Sequence, residues 1–176
     1  MDAVAALKNA SDYAFGQLKE SIEGLSEQES WAGISPKEGD YLHSTGTIIG
    51  IVQHVAGCKF LYGSWAFRNK EQRLRDIFAR TRKLGTSWQA AIDFLEEGNL
   101  YWLDCWRDLD PSDLDTERES HIKPMPSWRL ISIMIGHDEY HAGQIQLIRS
   151  TQGAPTSPPD MKFDEEEEFL KTWEIW

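Results

Sequence analysis

Residues 127–148 of the chain read SWRLISIMIGHDEYHAGQIQLI, and their apolar positions recur at the spacing of one helix face. That face carries Leu130, Ile133, Met134, Ile145 and Ile148. Ser127 is the predicted N-cap, and the glycine and prolines between 153 and 159 end the helix. The segment therefore predicts a long amphipathic helix with one buried face.

Three earlier segments have the same helical spacing of apolar residues. We predict helices over about residues 2–24, from an N-cap at Ser44 to 67–70, and from Ser87 through Trp106. Two polar connections follow the second and third helices: 71–85, which has room for a short helix, and 111–126. No period-2 alternation bounded by turns predicts a strand. The pattern predicts an all-α fold, a four-helix bundle, whose long crossover allows helices two and three to run parallel.

The length and charge of the chain suggest one domain with an acidic tail. A chain of 176 residues fits a single domain, and we place the bundle at 1–155 and the tail at 156–176. Residues 160–176 hold seven acidic and two basic side chains, so they contribute −5 to the net charge of −11. Because the tail ends in large apolar side chains, we expect it to dock on the bundle; these are Phe169, Leu170, Trp173 and Trp176.

Composition also excludes several classes of partner. The chain has no basic stripe, and phosphate binding needs clustered Lys and Arg, so we expect no nucleic-acid partner. The two cysteines, Cys58 and Cys105, have no CxxC spacing and indicate neither a disulfide framework nor a zinc knuckle. The sequence contains no signal-peptide pattern and no apolar run of the roughly 20 residues that a membrane helix needs. We therefore expect a soluble, cytoplasmic protein without a membrane partner.

Three histidines are the candidate metal ligands. His137 and His141 are four residues apart on the apolar face of the fourth helix, where such side chains stand about 6 Å apart and can share one ion. His54 lies on an inward face of the second helix, whereas His43 and His121 lie in polar loops and are expected at the surface. The sequence thus predicts one divalent ion on His54, His137 and His141. Imidazole ligands suit zinc, nickel, iron or copper, so the metal stays open.

Two other kinds of metal site have partly similar motifs. A zincin protease needs glutamate directly after the first histidine of HExxH, and this chain has Asp138 there. A di-iron carboxylate bundle needs paired Glu-x-x-His motifs and two further glutamates, which the chain does not offer. Neither alternative matches the residues present.

Four further side chains are candidates for supporting roles around the ion. Asn99, Ser11 and Gln144 lie at inward or ligand-adjacent positions, where each could orient a histidine through its second nitrogen or contact a substrate. Cys58 lies one turn after His54 and could approach the ion. A satisfied core residue is the competing interpretation for each of them.

The segment from His137 through His141, Gly143 and Gln144 to Ile145 resembles the HxxxHxGQI signature of the DinB/YfiT-like superfamily, and His54 lies where that family has its first histidine. The resemblance implies a four-helix bundle in up-down-down-up order with a divalent metal on three histidines. It also implies a link to metal-dependent transferases or isomerases that use low-molecular-weight thiols, although many relatives have no known activity. The acidic tail is not part of the family pattern.

The sequence is compatible with three hypotheses about function. The first is a metal-dependent transferase that activates a low-molecular-weight thiol, or water, for attack on a small electrophile. The second is a non-enzymatic, stress-related protein that binds a metal or ligand, and the third is a metal-dependent hydrolase. The sequence assigns no catalytic side chain, because the ion itself would activate the thiol or water. The many aromatic residues also lead us to expect a homodimer.

Overall fold

The computed structural model describes residues 2–34, 46–120 and 123–158, and these residues are mostly helical. The all-α class predicted from the sequence is therefore confirmed. The helices are α1 (Ala3–Ile22), α2 (Glu27–Ser30), α3 (Ile48–Phe67), α4 (Leu74–Leu84), α5 (Trp88–Trp106) and α6 (Ser127–Thr151), with a 3₁₀ turn at Pro111–Asp115. The predicted surface positions of His43 and His121 and the predicted docking of the tail beyond residue 158 lie outside the described residues.

Polar caps start three of the long helices. The Asp2 carboxylate accepts from the Ala5 amide at the start of α1, and the Ser87 hydroxyl accepts from the Ala90 amide at the start of α5. For α3 the predicted cap was wrong. The N-cap is Thr47, whose hydroxyl accepts from the Gly50 amide at 3.1 Å, whereas Ser44 lies outside the described residues.

The start of α6 also differs from the prediction. Pro126 occupies the N-cap position, and Ser127 is the first helical residue instead of the cap. The Ser127 hydroxyl donates to the Thr116 carbonyl and accepts from the Arg118 guanidinium, each at 3.1 Å. This serine therefore ties α6 to the preceding connection.

That connection contains the one strand pair found in the described ranges, which the sequence did not predict. β1 (Glu117–Arg118) pairs antiparallel with β2 (Met125–Pro126), with Arg118 opposite Met125. Two residues per strand are too few to show a period-2 pattern. The ribbon packs its Met125 side chain into the core beside α6.

Packing between the long helices positions the site. The most extensive helix contacts are those of α3 with α5 and of α1 with α6, and α3 also packs on α6. The helices α3 and α5 approach closely at Gly98, where an added Cβ would lie 3.0 Å from the Ala56 carbonyl oxygen. The short helix allowed for in the 71–85 connection is α4, which buries Ile77 against the α3 side of the core. None of the helices in the described ranges is long and apolar enough to cross a membrane.

Candidate metal centre

The three predicted histidines meet where α3 packs on α6. His54 comes from the middle of α3, and His137 and His141 follow one another by a turn on α6. The Nε2 atom of His137 lies 3.2 Å from Nε2 of His54 and 3.2 Å from Nε2 of His141. One ligand nitrogen of each ring lies within 4.8 Å of the other two, so the group could hold a metal ion.

The spacing and chemistry of these nitrogens fit a bound divalent ion. Two nitrogens bound to one tetrahedral zinc ion at about 2.0–2.1 Å are about 3.3–3.4 Å apart, close to the separation found here. A hydrogen on the shared Nε2 of His137 can point to only one of its two neighbours, whereas an ion accepts lone pairs from all three rings. His141 is buried, and His54 and His137 are half-buried, so the cluster is within reach of solvent.

Gln144 sets the orientation of one ring. Its side-chain carbonyl lies 2.7 Å from Nδ1 of His141, and its amide nitrogen donates to the Tyr140 hydroxyl at 2.9 Å. With Nδ1–H donating to that carbonyl, Nε2 of His141 keeps its lone pair for the centre of the cluster. The structure thus places Gln144 where the sequence predicted a supporting residue. Tyr140, which was not predicted, extends this hydrogen-bonded chain to the surface.

Cys58 lies next to one histidine of the cluster. Its sulfur lies 3.6 Å from Nε2 of His54, but it is not among the ligand atoms that lie within 4.8 Å of one another. Burial raises the pKa of the Cys58 thiol to about 12, with the Lys59 ammonium opposing the shift. In this structure Cys58 is a neighbour of the site and not a member of it.

Two other predicted supporting residues do not reach the histidines. Asn99 on α5 and Ser11 on α1 are both buried. Neither forms a hydrogen bond with any of the three rings within the described ranges, and the side-chain oxygen of Asn99 is buried there without a hydrogen-bond partner. Their role as ligand-orienting groups is therefore not supported by the geometry.

A buried ion pair beside the histidines was not predicted. The Lys59 ammonium on α3 lies 2.6 Å from the Asp138 carboxylate on α6, and the two side chains are 0% and 1% exposed. Burial lowers the pKa of Lys59 and raises that of Asp138, against the attraction between them. The ammonium also lies 5.1 Å from the centre of the Phe15 ring on α1. The sequence feature that could have pointed to this pair was one lysine and one aspartate, each on an otherwise apolar helix face.

The arrangement defines a helical protein with three histidines converging from two helices. The sequence model of the DinB superfamily matches residues 14–145, which include all three histidines and cover well over half of the chain. The chain therefore belongs to the DinB superfamily, as the signature around His137 and His141 indicated. Comparisons with curated proteins and with solved structures found no match.

Proposed function

We propose that this DinB superfamily protein holds one divalent metal ion on His54, His137 and His141 and is a transferase that activates a low-molecular-weight thiol, or water, for attack on a small electrophile. The observation that carries the proposal is the meeting of three Nε2 atoms at 3.2 Å spacings around His137. When bound, the ion would act as a Lewis acid that lowers the pKa of a thiol or water ligand toward neutrality. Three imidazoles suit zinc, nickel or iron.

The residues of the chain supply binding and orientation in this proposal. The His141 ring is held by Gln144, so its Nε2 lone pair faces the other two rings. His54 and His137 are partly exposed, so a small molecule could reach their rings from solvent. The half-buried Cys58 thiol lies outside the ligand group, which favours a thiol supplied by a separate small molecule.

We further propose that the four long helices, α1, α3, α5 and α6, form an up-down-down-up bundle. Contacts between α3 and α5 follow the same direction along both helices, since Ala56 faces Gly98 and, further along, Gly63 faces Tyr101. This order supports parallel helices two and three, joined by the crossover that contains α4.

Contacts of α6 support the remaining part of this order. They run in opposite directions along α3 and α6, from the His54–His141 pair to Ala66 and Leu130, which share a small cluster. Along α1 and α6 they run in the same direction, because α1 packs on α6 and the Arg149 guanidinium near the end of α6 donates to the Ser21 carbonyl near the end of α1. In the proposed bundle the fourth helix is likewise antiparallel to the second helix and parallel to the first.

Metal content tests the ligand assignment directly. Elemental analysis of the purified wild-type chain should find about one metal ion per protein, and the His54→Ala variant should lose most of it, because removing one of three ligands sharply lowers affinity. The variants His43→Ala and His121→Ala change the two histidines outside the proposed ligand set, so they are controls and should keep the metal. An unchanged metal content in His54→Ala would refute His54 as a ligand.

Turnover separates the catalytic proposal from its alternatives. The metal-loaded protein is incubated with small electrophiles and a panel of low-molecular-weight thiols, and loss of free thiol is followed. We expect thiol consumption by the wild type and none by His54→Ala. Release of product without any thiol would point to the hydrolase, and metal binding without any turnover would point to a non-enzymatic binding protein.

The setting of the protein is part of the same proposal. We propose that it acts in the reducing cytoplasm, consistent with two free cysteines, and that it is a homodimer. Light scattering of the eluting protein on a sizing column tests the dimer, since a mass near 20.2 kDa would show a monomer.

A further inference from the structure

We propose that Lys59 and Asp138 form a positioning pair that fixes α3 against α6 and thereby brings His54 to the other two histidines. The inference rests on the proposed metal site and adds two residues that do not themselves bind the ion. Lys59 follows His54 by five residues on α3, and Asp138 directly follows His137 on α6. The pair therefore joins the same two helices that carry the ligands.

Two contacts between one pair of helices determine how they align. The first is His54 with His137, and the second is Lys59 with Asp138 at 2.6 Å. The five-residue step from His54 to Lys59 separates their backbone positions by about 7.5 Å along α3, whereas His137 and Asp138 are neighbours on α6. Two contacts between the same pair of helices resist both sliding of α3 along α6 and rotation of α3 about its axis more than a single contact does.

The chemical nature of the pair points to alignment as its role. Moving two charges out of water costs free energy, and apolar side chains of similar volume often stabilise a core equally well or better. Apolar packing is non-directional, whereas a hydrogen-bonded ion pair has a preferred distance and angle. The ammonium is also held on the α1 side by the Phe15 ring at 5.1 Å, so a third helix limits its position.

The carboxylate depends strongly on its lysine. Among the described residues the second oxygen of Asp138, Oδ1, is buried without a hydrogen-bond partner, and Oδ2 is the atom that accepts from Lys59. Removing either partner alone leaves a buried charge uncompensated and destabilises the fold as a whole. Single substitutions therefore confuse alignment with stability, and the informative variant removes both charges together.

The test compares the double variant Lys59→Met/Asp138→Leu with the wild type. Urea unfolding of the metal-free proteins measures stability, and competition with a chromophoric chelator measures affinity for Zn²⁺. We expect similar stability but Zn²⁺ binding at least about tenfold weaker, the loss typical of removing groups that support a metal ligand. Wild-type Zn²⁺ affinity in the folded double variant would overturn the inference.

The matched control removes an exposed pair. The Lys19 ammonium lies 2.7 Å from the Glu96 carboxylate, links α1 to α5 and, like Lys59, lies near the Phe15 ring. The variant Lys19→Met/Glu96→Leu should bind Zn²⁺ as the wild type does. An equal loss in this control would show a nonspecific effect of removing an ion pair and would also overturn the inference.

Two further measurements keep the result decisive. If the buried double variant does not fold, the variant Asp138→Glu is used in its place. The longer side chain keeps both charges but shifts the carboxylate relative to the Lys59 ammonium. Unchanged Zn²⁺ affinity in this variant would then count against the inference. If the wild type itself binds none of Zn²⁺, Ni²⁺ and Fe²⁺, the proposed function fails. In that case the positioning role of Lys59 and Asp138 is tested by the NMR signals of the His54 and His137 rings in the metal-free protein. A change in these chemical shifts in Lys59→Met/Asp138→Leu, and none in the Lys19→Met/Glu96→Leu control, would support the role. Unchanged chemical shifts in Lys59→Met/Asp138→Leu would refute it.

Discussion

The close approach of α3 to α5 at Gly98 leads to a prediction with a worked magnitude. An added Cβ would lie 3.0 Å from the carbonyl oxygen of Ala56, 3.2 Å from its Cα and 3.3 Å from Cε2 of Phe60. Two of these atoms belong to the backbone and cannot rotate away, and carbon atoms normally keep about 3.5–4.0 Å apart. Gly98→Ala should therefore push α5 away from α3 by several tenths of an ångström, at an overpacking cost of about 1–3 kcal/mol.

The helix preference of alanine acts in the opposite direction and must be subtracted. Replacing glycine by alanine inside a helix gains about 1 kcal/mol, so Gly98→Ala should have a net effect between roughly neutral and 2 kcal/mol destabilising. Gly16 is the matched control, because it lies inside α1 and an added Cβ there would meet nothing within 4 Å. Gly16→Ala should show the gain alone.

Urea unfolding followed by circular dichroism measures both variants. The linear extrapolation gives the free energy of unfolding, and an unchanged slope indicates that the surface exposed on unfolding is unchanged. We expect Gly98→Ala to be less stable than Gly16→Ala by about 1–3 kcal/mol. Equal stability of the two variants would refute the claim that α3 and α5 are in contact through Gly98.

Three other predictions concern polar groups. Gln144→Leu should weaken Zn²⁺ binding about tenfold, because the His141 ring would lose the hydrogen bond that orients it. Gln146→Leu, on the exposed side of α6, should leave Zn²⁺ binding unchanged. Equal chelator-competition curves for the two variants would contradict this prediction. Two hydrogen bonds from Ser26 lower the pKa of Glu29 below 4.5. The capping contribution of this carboxylate to stability is therefore complete above pH 4.5 and is lost as the pH falls through the folded-state pKa. NMR titration should find the pKa of Glu29 closer to 4.5 in Ser26→Ala, and an unchanged value would count against the cap. Partial burial raises the pKa of the Cys105 thiol, against the opposing effect of the Arg68 guanidinium, so iodoacetamide should label it more slowly in the folded protein than in urea. Peptide mass spectrometry measures the two rates, and equal rates would argue against this shielding.

Much of the helical framework could be predicted, because it depends on patterns within single segments. Apolar residues at helical spacing identified all four long helices, and the spacing of His137 and His141 placed both on one face of α6. The predicted helix starts were less accurate. Several serines and threonines precede α3, and only the folded backbone selects Thr47. At α6 the Ser127 hydroxyl instead donates to the Thr116 carbonyl and accepts from the Arg118 guanidinium.

The buried ion pair could not be predicted in the same way. Lys59 stands in the segment IVQHVAGCKFLYG, residues 51–63, where a single lysine is normally expected at the surface. Its burial depends on Asp138, which is distant in sequence and meets it only when α3 and α6 are aligned. For Asn99 and Ser11 the inward positions were predicted correctly. Whether they reach the histidines depends on distances between helices, which no sequence pattern supplies.

His137 and His141 belong to neighbouring turns of one helix, and this has a consequence for how the protein acquires its ion. A helix turn forms within about a microsecond, so a folding chain should bring these two imidazoles together on α6 more readily than it brings α3 against α6. Affinity for the unfolded chain subtracts from the stability that a ligand gives to the native state. The stability that the bound ion adds to the folded protein should then come mainly from the third imidazole, His54. Removal of the ion by a chelator should therefore loosen α3 before it loosens α6.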